Sequence, residues 1–218
     1  MKAVIFDFNG TLFLDTPLHL EAWEKIYRKY HPGADEAPDR NSYAGACNDE
    51  IIRRIAPQLN EEERRACSVY KESVYRELCK EHPERVHLTE GAEEVFAALK
   101  RRGVPYALAT ASILDNVEFY FDTFKLDRWF DRLLCVYDDG SFADKGEFQA
   151  EAARRLGVPF SECLIVEDSV SAIGCARKRG AGFIVGIGET GSEEELLKAG
   201  ADCRIHDFTE FDLAWLEK

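Results

Sequence analysis

Residues 3–11 of the chain read AVIFDFNGT, and this stretch decides the fold. An unbroken apolar run leads to Asp7, and Phe8, Asn9 and Gly10 follow directly. Consecutive apolar positions are typical of a strand that is buried on both faces of a parallel sheet. A glycine just after the strand favours a sharp turn of the backbone. The stretch therefore predicts a central strand with a polar carboxyl end.

Four more apolar runs alternate with segments of helical periodicity. The runs cover residues 106–111, 133–137, 163–168 and 183–188, and the helical segments cover 92–99, 117–124, 147–156 and 169–179. Strands that alternate with helices indicate parallel pairing, because a parallel connection needs a long crossover between its strands. We expect an α/β fold built on a doubly wound parallel (Rossmann-like) sheet.

Residues 15–88 interrupt this alternation, since they contain no strand-like run and have a helical composition. Two amphipathic helix faces are predicted, one by Leu20, Trp23, Tyr27 and Tyr30 and the other by Cys67, Tyr70, Val74 and Leu78. His31-Pro32-Gly33 and Ala56-Pro57 are typical of helix ends. The sequence thus predicts an α/β core domain of residues 1–14 and 89–218 and an inserted α-helical cap domain of residues 15–88.

The overall composition restricts the partners of the chain. Its 218 residues carry a formal net charge of −13, which disfavours nucleic acid and anionic membranes because both would repel the average surface. The sequence has no run of about 18 apolar residues, so we expect no membrane-spanning helix. Seven cysteines without a CxxC pair indicate reduced thiols and no zinc site. We expect a cytoplasmic monomer that acts on a small molecule.

Polar residues follow the predicted strands at the edge where open α/β sheets bind their ligands. They belong to the segments Asp7-Phe8-Asn9-Gly10-Thr11 after the first strand, Thr110-Ala111-Ser112 after the second and Glu167-Asp168-Ser169 after the fourth, while Lys145 begins a helix after Asp144. Carboxylates, hydroxyls, an amide and an ammonium group are therefore expected to converge on one edge of the sheet.

This set of groups suits phosphoryl transfer. A carboxylate such as that of Asp7 can attack phosphorus and form an aspartyl-phosphate. Carboxylate and phosphate repel each other, so the site needs cations, and Mg²⁺ prefers oxygen ligands such as Asp7 and Asp168. Lys145 would neutralise further charge. The neighbouring hydroxyl and backbone N–H groups can hold the transferring oxygens.

Residues 7–12, DFNGTL, resemble the first motif of the haloacid dehalogenase-like superfamily. Thr110, Lys145 and Glu167-Asp168 resemble its second, third and fourth motifs, in the right order. Residues 15–23 are similar to the start of the helical cap in the β-phosphoglucomutase-like branch, and residues 89–91 resemble the point where the cap returns to the core. The resemblance covers the whole chain. It implies a Mg²⁺-dependent phosphatase for a small phosphorylated substrate, with the cap closing over the site.

The resemblance also assigns roles to individual residues. It implies catalytic roles for Asp7, Asn9, Thr110 and Lys145, phosphate or substrate binding by Gly10, Ala111, Ser112 and His19, and metal binding by Asp7, Asn9, Asp168 and Glu167. Asn9 would bind the metal through its backbone carbonyl. Glu167 has a second interpretation, in which it supports the metal ligands without touching the metal.

Asn9 departs from the motif, because the family places a second Asp there as general acid and base. An amide can neither protonate a leaving group nor activate water, and loss of a positioned acid/base costs typically ~10²–10⁴-fold in rate. Three explanations remain open: an engineered substitution in an active enzyme, a natural member of low or no activity, or another proton donor, for which His19 is the best-placed candidate.

Other branches of the superfamily give alternative functions. The phosphoglucomutase branch uses a cap-loop Arg where this chain has Asn48, which favours a simple monoester phosphatase. The phosphonatase branch uses a cap Lys, and Lys71 is the residue to examine. A non-enzymatic alternative is a phosphate-ligand-binding or regulatory protein on the same fold, inactivated by Asn9.

Overall fold

The computed structural model describes residues 1–34, 43, 47–142, 144–188 and 192–218. Six strands form one sheet: β1 (Ala3–Phe6), β2 (Tyr106–Ile113), β3 (Val136–Asp138), β4 (Cys163–Glu167), β5 (Phe183–Ile187) and β6 (Cys203–Ile205). Their spatial order is β3-β2-β1-β4-β5-β6, and all neighbouring pairs are parallel. From β1, the next strands β2 and β3 are added on one side, and β4, β5 and β6 are added on the other side, as in a doubly wound sheet. The predicted fold class is confirmed.

Both faces of the sheet are covered, which explains the unbroken apolar runs. Where this part of the chain is described, its α-helices are α4 (Ala92–Arg102), α5 (Leu114–Phe124), α6 (Lys145–Leu156), α7 (Val170–Lys178) and α8 (Glu193–Ala199). Ala3 and Ile5 pack toward Phe148, Ala152 and Ile173 on one face. Side chains alternate along a strand, and Phe6 accordingly contacts the rings of a second cluster, formed by Phe96, Tyr106, Phe130 and Phe208.

The predicted strand at 133–137 is wrong at its start. Arg132–Leu134 form a short 3₁₀ helix, because the Asp131 side chain accepts a hydrogen bond from the Leu133 N–H (3.0 Å) and favours a turn there. Leu133 is 82% exposed, and the strand begins only at Val136. The sheet also has a strand that the sequence pattern did not indicate, β6, which is three residues long and contains the charged Arg204.

Among the described residues of the inserted segment there are three α-helices, α1 (Thr16–Tyr30), α2 (Asn48–Ile55) and α3 (Glu61–Glu81). The helix ends expected near Pro32 and Pro57 are confirmed, since α1 ends at Tyr30 and α2 at Ile55. Their shared core contains Trp23, Ile26, Ile51, Ile52, Ile55 and Cys67, with Leu20, Tyr27 and Tyr30 packed against it. This part of the chain therefore has its own hydrophobic core.

The predicted buried face of α3 is partly wrong. Cys67 and Leu78 are buried as expected, but Tyr70 is 46% exposed. The helix instead buries Lys71 and Tyr75, which lie four residues apart and thus on one face. A hydrophobic pattern could not identify this face, because a charged residue forms part of it.

The contacts divide the chain into a core unit, Met1–Leu14 with His87–Lys218, and a helical unit, Asp15–Val86. The sequence pattern placed the second boundary two residues later, between 88 and 89. Two chain crossings join the units, one after Leu14 and one after Val86. Among the described residues, no helix has the length and apolar character needed to cross a membrane.

Phe6 offers a direct test of the core described here. The side chain is fully buried among four aromatic rings. We predict that Phe6→Ala lowers the free energy of unfolding by ~3–5 kcal/mol, since it removes buried apolar surface and leaves a cavity. Urea unfolding followed by circular dichroism measures the change. Leu133→Ala is the control, because an 82% exposed side chain should change stability by no more than about 0.5 kcal/mol. Equal effects of the two substitutions would contradict this account of the core.

Candidate active site

Asp7 lies at the carboxyl edge of the sheet because parallel pairing continues one residue past β1. Its N–H donates to the Val166 carbonyl of β4 (3.0 Å). Glu167 and Asp168 follow Val166, so the order of the strands brings three acids together. One carboxylate oxygen from each residue can be chosen so that the three lie within 4.8 Å of one another. All three side chains are buried, with exposed fractions of 3% for Asp7, 1% for Glu167 and 5% for Asp168.

Gly10 makes room for the third of these acids. Its φ of +74° is in the left-handed region that favours glycine. A Cβ atom added at Gly10 would lie 2.2 Å from the Asp168 Oδ2 atom. The turn is closed by the Gly10 N–H, which donates to the Phe13 carbonyl (2.7 Å). Any side chain at position 10 would therefore displace the Asp168 carboxylate.

Lys145 supplies a positive charge to the acidic cluster. It is the first residue of α6, and the Asp144 side chain caps that helix by accepting from the Glu147 N–H (3.2 Å). The Lys145 Nζ atom lies 3.7 Å from Asp7 Oδ2 and 3.4 Å from Glu167 Oε1. One ammonium group thus faces three carboxylates, and the cluster keeps an excess of negative charge.

The electrostatics of the cluster follow from this imbalance. Burial raises the pKa of Asp7 well above its ordinary value, and the neighbouring Glu167 and Asp168 raise it further, against the opposing effect of Lys145. Burial alone would lower the pKa of Lys145, but the three acids outweigh it and raise that pKa. Lys145 therefore stays charged, while the ionised form of Asp7 is destabilised unless another cation is present.

The cluster has the chemistry of a site for a hard divalent cation. The Asp7 Oδ2 atom is buried and has no hydrogen-bond partner among the described residues. Carboxylate oxygens are the ligands that Mg²⁺ prefers, usually one or two of them with water and substrate phosphate. Asp7, Glu167 and Asp168 could hold such an ion, and the backbone carbonyl of Asn9 belongs to the same turn. The residues present fit Mg²⁺.

The Asn9 side chain is held in a ring of hydrogen bonds. Its Nδ2 group donates to the Tyr120 hydroxyl (2.8 Å), and its Oδ1 atom accepts from the Ser112 hydroxyl (2.6 Å). The two hydroxyl oxygens lie 3.3 Å apart, which closes the ring. Thr110 Oγ1 is 3.4 Å from Asn9 Oδ1. Thr110 and Ser112, both on β2, thus meet the turn after β1, whereas Ala111 between them is exposed.

Two residues of this site were missed by sequence reasoning. Tyr120 appeared only as one apolar position of α5, yet its hydroxyl binds Asn9 and its ring stacks on Phe8 with centroids 4.2 Å apart. Gln149 donates to Glu167 Oε2 (3.2 Å). The sequence spacing could have indicated Gln149, because it follows Lys145 by four residues and the two side chains therefore share one face of the helix.

His19 lies in the helical unit, on α1, and its contacts there are specific. The ring stacks on Tyr75 with centroids 3.9 Å apart. Lys71 Nζ is 2.7 Å from Nδ1, and Asp15 Oδ2 is 3.2 Å from Nε2. An ammonium group can only donate, so Nδ1 accepts and the ring hydrogen lies on Nε2, toward Asp15. Lys71 also donates to Glu72 (2.9 Å), and burial lowers the pKa of Lys71 against the opposing effect of Glu72.

Comparison with known proteins identifies the relatives of this chain. Residues 1–178 match a family model described as haloacid dehalogenase-like hydrolase. A family IA, variant 3 HAD hydrolase from Entamoeba histolytica superposes with a TM-score of 0.92 at 32% identity, over 99% of this chain and 97% of that one. A mutant CbbY from Rhodobacter sphaeroides, with one Asp replaced by Asn and in complex with xylulose-1,5-bisphosphate, gives a TM-score of 0.80 at 26% identity over 99% of both chains. Validoxylamine A 7'-phosphate phosphatase from Streptomyces hygroscopicus subsp. limoneus is 25% identical over 96% of this chain and 95% of its own length.

The charge imbalance leads to a prediction for the metal-free protein. Because the pKa of Asp7 is raised in the folded state, folding favours the protonated form, and stability falls as pH rises above the unfolded value of about 3.9. We predict that Asp7→Asn raises the melting temperature in EDTA at neutral pH. A gain on the order of 1 kcal/mol corresponds to about 2–4 °C for a chain of this size.

The pH dependence and a surface control make this prediction specific. The advantage of Asp7→Asn should grow from about pH 4 upward and level off above the folded pKa of Asp7. Asp122→Asn removes an acid that is 81% exposed and should change the melting temperature little. A lower melting temperature for Asp7→Asn across this pH range would contradict the described cluster.

Proposed function

The chain belongs to the haloacid dehalogenase-like hydrolase family, and from that premise we propose that it is a Mg²⁺-dependent phosphatase for a small organic phosphate monoester. The observation that carries the proposal is the Asp7 carboxylate. It is buried, one oxygen has no hydrogen-bond partner among the described residues, and Lys145 lies 3.7 Å from that oxygen. A carboxylate so placed can act as a nucleophile toward phosphorus.

Asp7 would react in two steps. In the first, an Asp7 oxygen bonds to phosphorus while the bond from phosphorus to the ester oxygen breaks, and the leaving alkoxide takes up a proton from water to become the alcohol. In the second, water attacks phosphorus, releases inorganic phosphate and restores the Asp7 carboxylate. When bound by Asp7, Asp168, the Asn9 carbonyl and directly or indirectly Glu167, Mg²⁺ would neutralise negative charge on the carboxylates and the phosphoryl group.

The other residues of the core unit would hold the phosphoryl group. The Lys145 ammonium, which already faces Asp7 and Glu167, would offset the negative charge of the phosphoryl oxygens. The Thr110 hydroxyl and the Ala111 N–H are donors at the same carboxyl edge, whereas the Gly10 N–H and the Ser112 hydroxyl already donate to the Phe13 carbonyl and to Asn9 Oδ1. These donors would orient the group for in-line attack without taking part in proton transfer.

Asn9 limits the proposed reaction, because neither proton transfer can pass through an amide. His19 is a poor substitute, since its Nδ1 atom accepts from Lys71 and its Nε2 hydrogen faces Asp15. We therefore propose slow turnover for poor leaving groups and retained binding of phosphate. The related CbbY carries an Asp-to-Asn substitution and still holds a sugar bisphosphate, which supports retained binding in a chain of this kind.

A phosphate-ligand-binding or regulatory protein is the second candidate, and one observation favours it. The Asn9 amide is matched to its surroundings, because Ser112 donates to its oxygen and Tyr120 accepts from its nitrogen. This arrangement serves an amide well and offers no general acid. The phosphoglucomutase-like and phosphonatase-like alternatives have less support. Asn48 donates to Glu72 and Ser68 within the helical unit, and Lys71 is held by His19 and Glu72.

We further propose that the helical unit, Asp15–Val86, is the cap of this enzyme. Both of its ends connect to the core unit, after Leu14 and after Val86, so only two stretches of backbone would need to flex. The substrate of the proposed enzyme would be a small phosphorylated molecule, in keeping with the phosphatase named among the relatives. The cap would contribute selectivity for the part of that molecule beyond the phosphate.

A panel of phosphate esters tests the proposed function. We predict that the parent chain hydrolyses activated aryl phosphates slowly with Mg²⁺ and not at all with EDTA. Asn9→Asp should raise turnover of alkyl phosphates by ~10²-fold or more, because the new carboxyl can protonate the leaving group. The pocket can accept it, since the hydroxyls of Ser112 and Tyr120 can both turn to donate. Affinity for inorganic phosphate should change little.

Three outcomes separate the candidates. Turnover of alkyl phosphates by Asn9→Asp but not by the parent indicates a phosphatase weakened by Asn9. Phosphate binding without turnover in either protein supports the binding protein. If the parent hydrolyses alkyl phosphates as fast as Asn9→Asp, the proposed role of position 9 is wrong. Intact-mass measurement accompanies each assay, because Asn-Gly pairs deamidate and could introduce the acid during storage.

A further inference from the structure

Glu167 is held by donors on both of its oxygens. Its Oε1 atom accepts from the Ser169 backbone N–H (3.1 Å) and faces Lys145 Nζ (3.4 Å). Its Oε2 atom accepts from the Gln149 Nε2 group (3.2 Å). The donors come from two helices, since Ser169 caps α7 and both Lys145 and Gln149 lie on α6. The Glu167 carboxylate plane is thereby fixed.

Gln149 provides one of these donors, and burial of its polar side chain costs free energy. The side chain is only 2% exposed, and its Oε1 atom has no hydrogen-bond partner among the described residues. The orientation of the amide follows from its neighbour, because reversing it would place oxygen against the Glu167 carboxylate. Burying an amide with one unpaired oxygen costs free energy. The hydrogen bond to the Glu167 carboxylate offsets that cost, so the contact with Glu167 accounts for a glutamine at this position.

The helix places Gln149 and Lys145 in one row. They are four residues apart on α6 and contact the two different oxygens of the same carboxylate. The start of the helix is fixed in turn by Asp144, whose side chain also accepts from Arg179 (2.7 Å). Lys145 already ties Glu167 to Asp7 by charge. Gln149 adds a neutral donor, which restrains direction without cancelling the negative charge that a cation requires.

We propose that Gln149 is a positioning residue that orients Glu167 for a divalent cation in the acidic cluster. The inference rests on the proposed function in taking Mg²⁺ as that cation. Groups that hydrogen-bond a carboxylate near a metal fix its direction, and their loss typically costs 10–100-fold in metal affinity. Gln149 acts through Glu167 and touches neither substrate nor the reacting atoms.

Isothermal titration of the metal-free protein with Mg²⁺ alone tests the proposal. Gln149→Met keeps the length and apolar character of the stem but removes the donor, and we expect Mg²⁺ binding at least about 10-fold weaker than in the parent. Phe148→Leu is the control, because this neighbouring residue is buried on α6 and contacts the core rather than Glu167. It should lower the melting temperature while leaving the dissociation constant within about twofold. Mg²⁺ affinity of Gln149→Met within twofold of the parent would overturn the proposal.

A double-mutant cycle distinguishes positioning from general destabilisation. In a Glu167→Gln background, Gln149→Met should have no further effect on Mg²⁺ affinity, because the carboxylate it orients is absent. Additive losses would show that Gln149 does not act through Glu167.

If Gln149→Met does not fold, Gln149→Asn withdraws the same donor by one methylene and is expected to weaken Mg²⁺ binding similarly. A parent chain that binds no Mg²⁺ would overturn the proposed metal site together with this inference, whereas a parent that binds and variants that bind equally would overturn the inference alone.

Discussion

Like charges that are buried together repel, and the core unit buries three carboxylates within 4.8 Å of one another beside a single ammonium group. This excess of negative charge is the constraint on which the rest of the site depends. Burial raises the pKa of Asp7, the excess of negative charge raises it further, and the same excess keeps Lys145 protonated. Such an excess would favour binding of a divalent cation more than a balanced set of charges would. A phosphate ester could approach the nucleophile only after that repulsion had been offset.

The order of the strands creates this arrangement. β1 lies between β2 and β4, so the turn after β1 meets hydroxyls from one neighbour and acids from the other. Thr110 and Ser112 contact the Asn9 amide, and Asp168 occupies the space that Gly10 leaves open. Helix α6 then brings Lys145 and Gln149 to the same acids. Each group lies in, or directly after, a strand or helix whose apolar residues are buried.

The sequence could predict the sheet and the position of the acids at its edge, because both follow from apolar runs and from what comes directly after them. It could not predict the buried face of α3, where Lys71 and Tyr75 replace the expected Tyr70. Hydrophobic periodicity carries no information about a charge that is buried with partners. Tyr120 was missed for a related reason, since its hydroxyl binds Asn9, which is far away in the chain. Gln149 was missed although its spacing from Lys145 places both on one helix face, because its partner Glu167 lies on another element. The short strand β6 is too brief and too polar to produce a pattern.

The central claim is that Asp7 accepts a phosphoryl group, and mass spectrometry tests it most directly. The chain is mixed with an activated aryl phosphate and Mg²⁺, quenched in acid and digested. The account predicts one added phosphoryl group on the peptide that contains Asp7, sensitive to hydroxylamine and absent when EDTA replaces Mg²⁺. Because Asn9 slows the attack of water more than the attack of Asp7 on a good leaving group, this species should accumulate. Turnover of the ester with Asp7 unmodified, or with the phosphoryl group on another residue, would contradict the account.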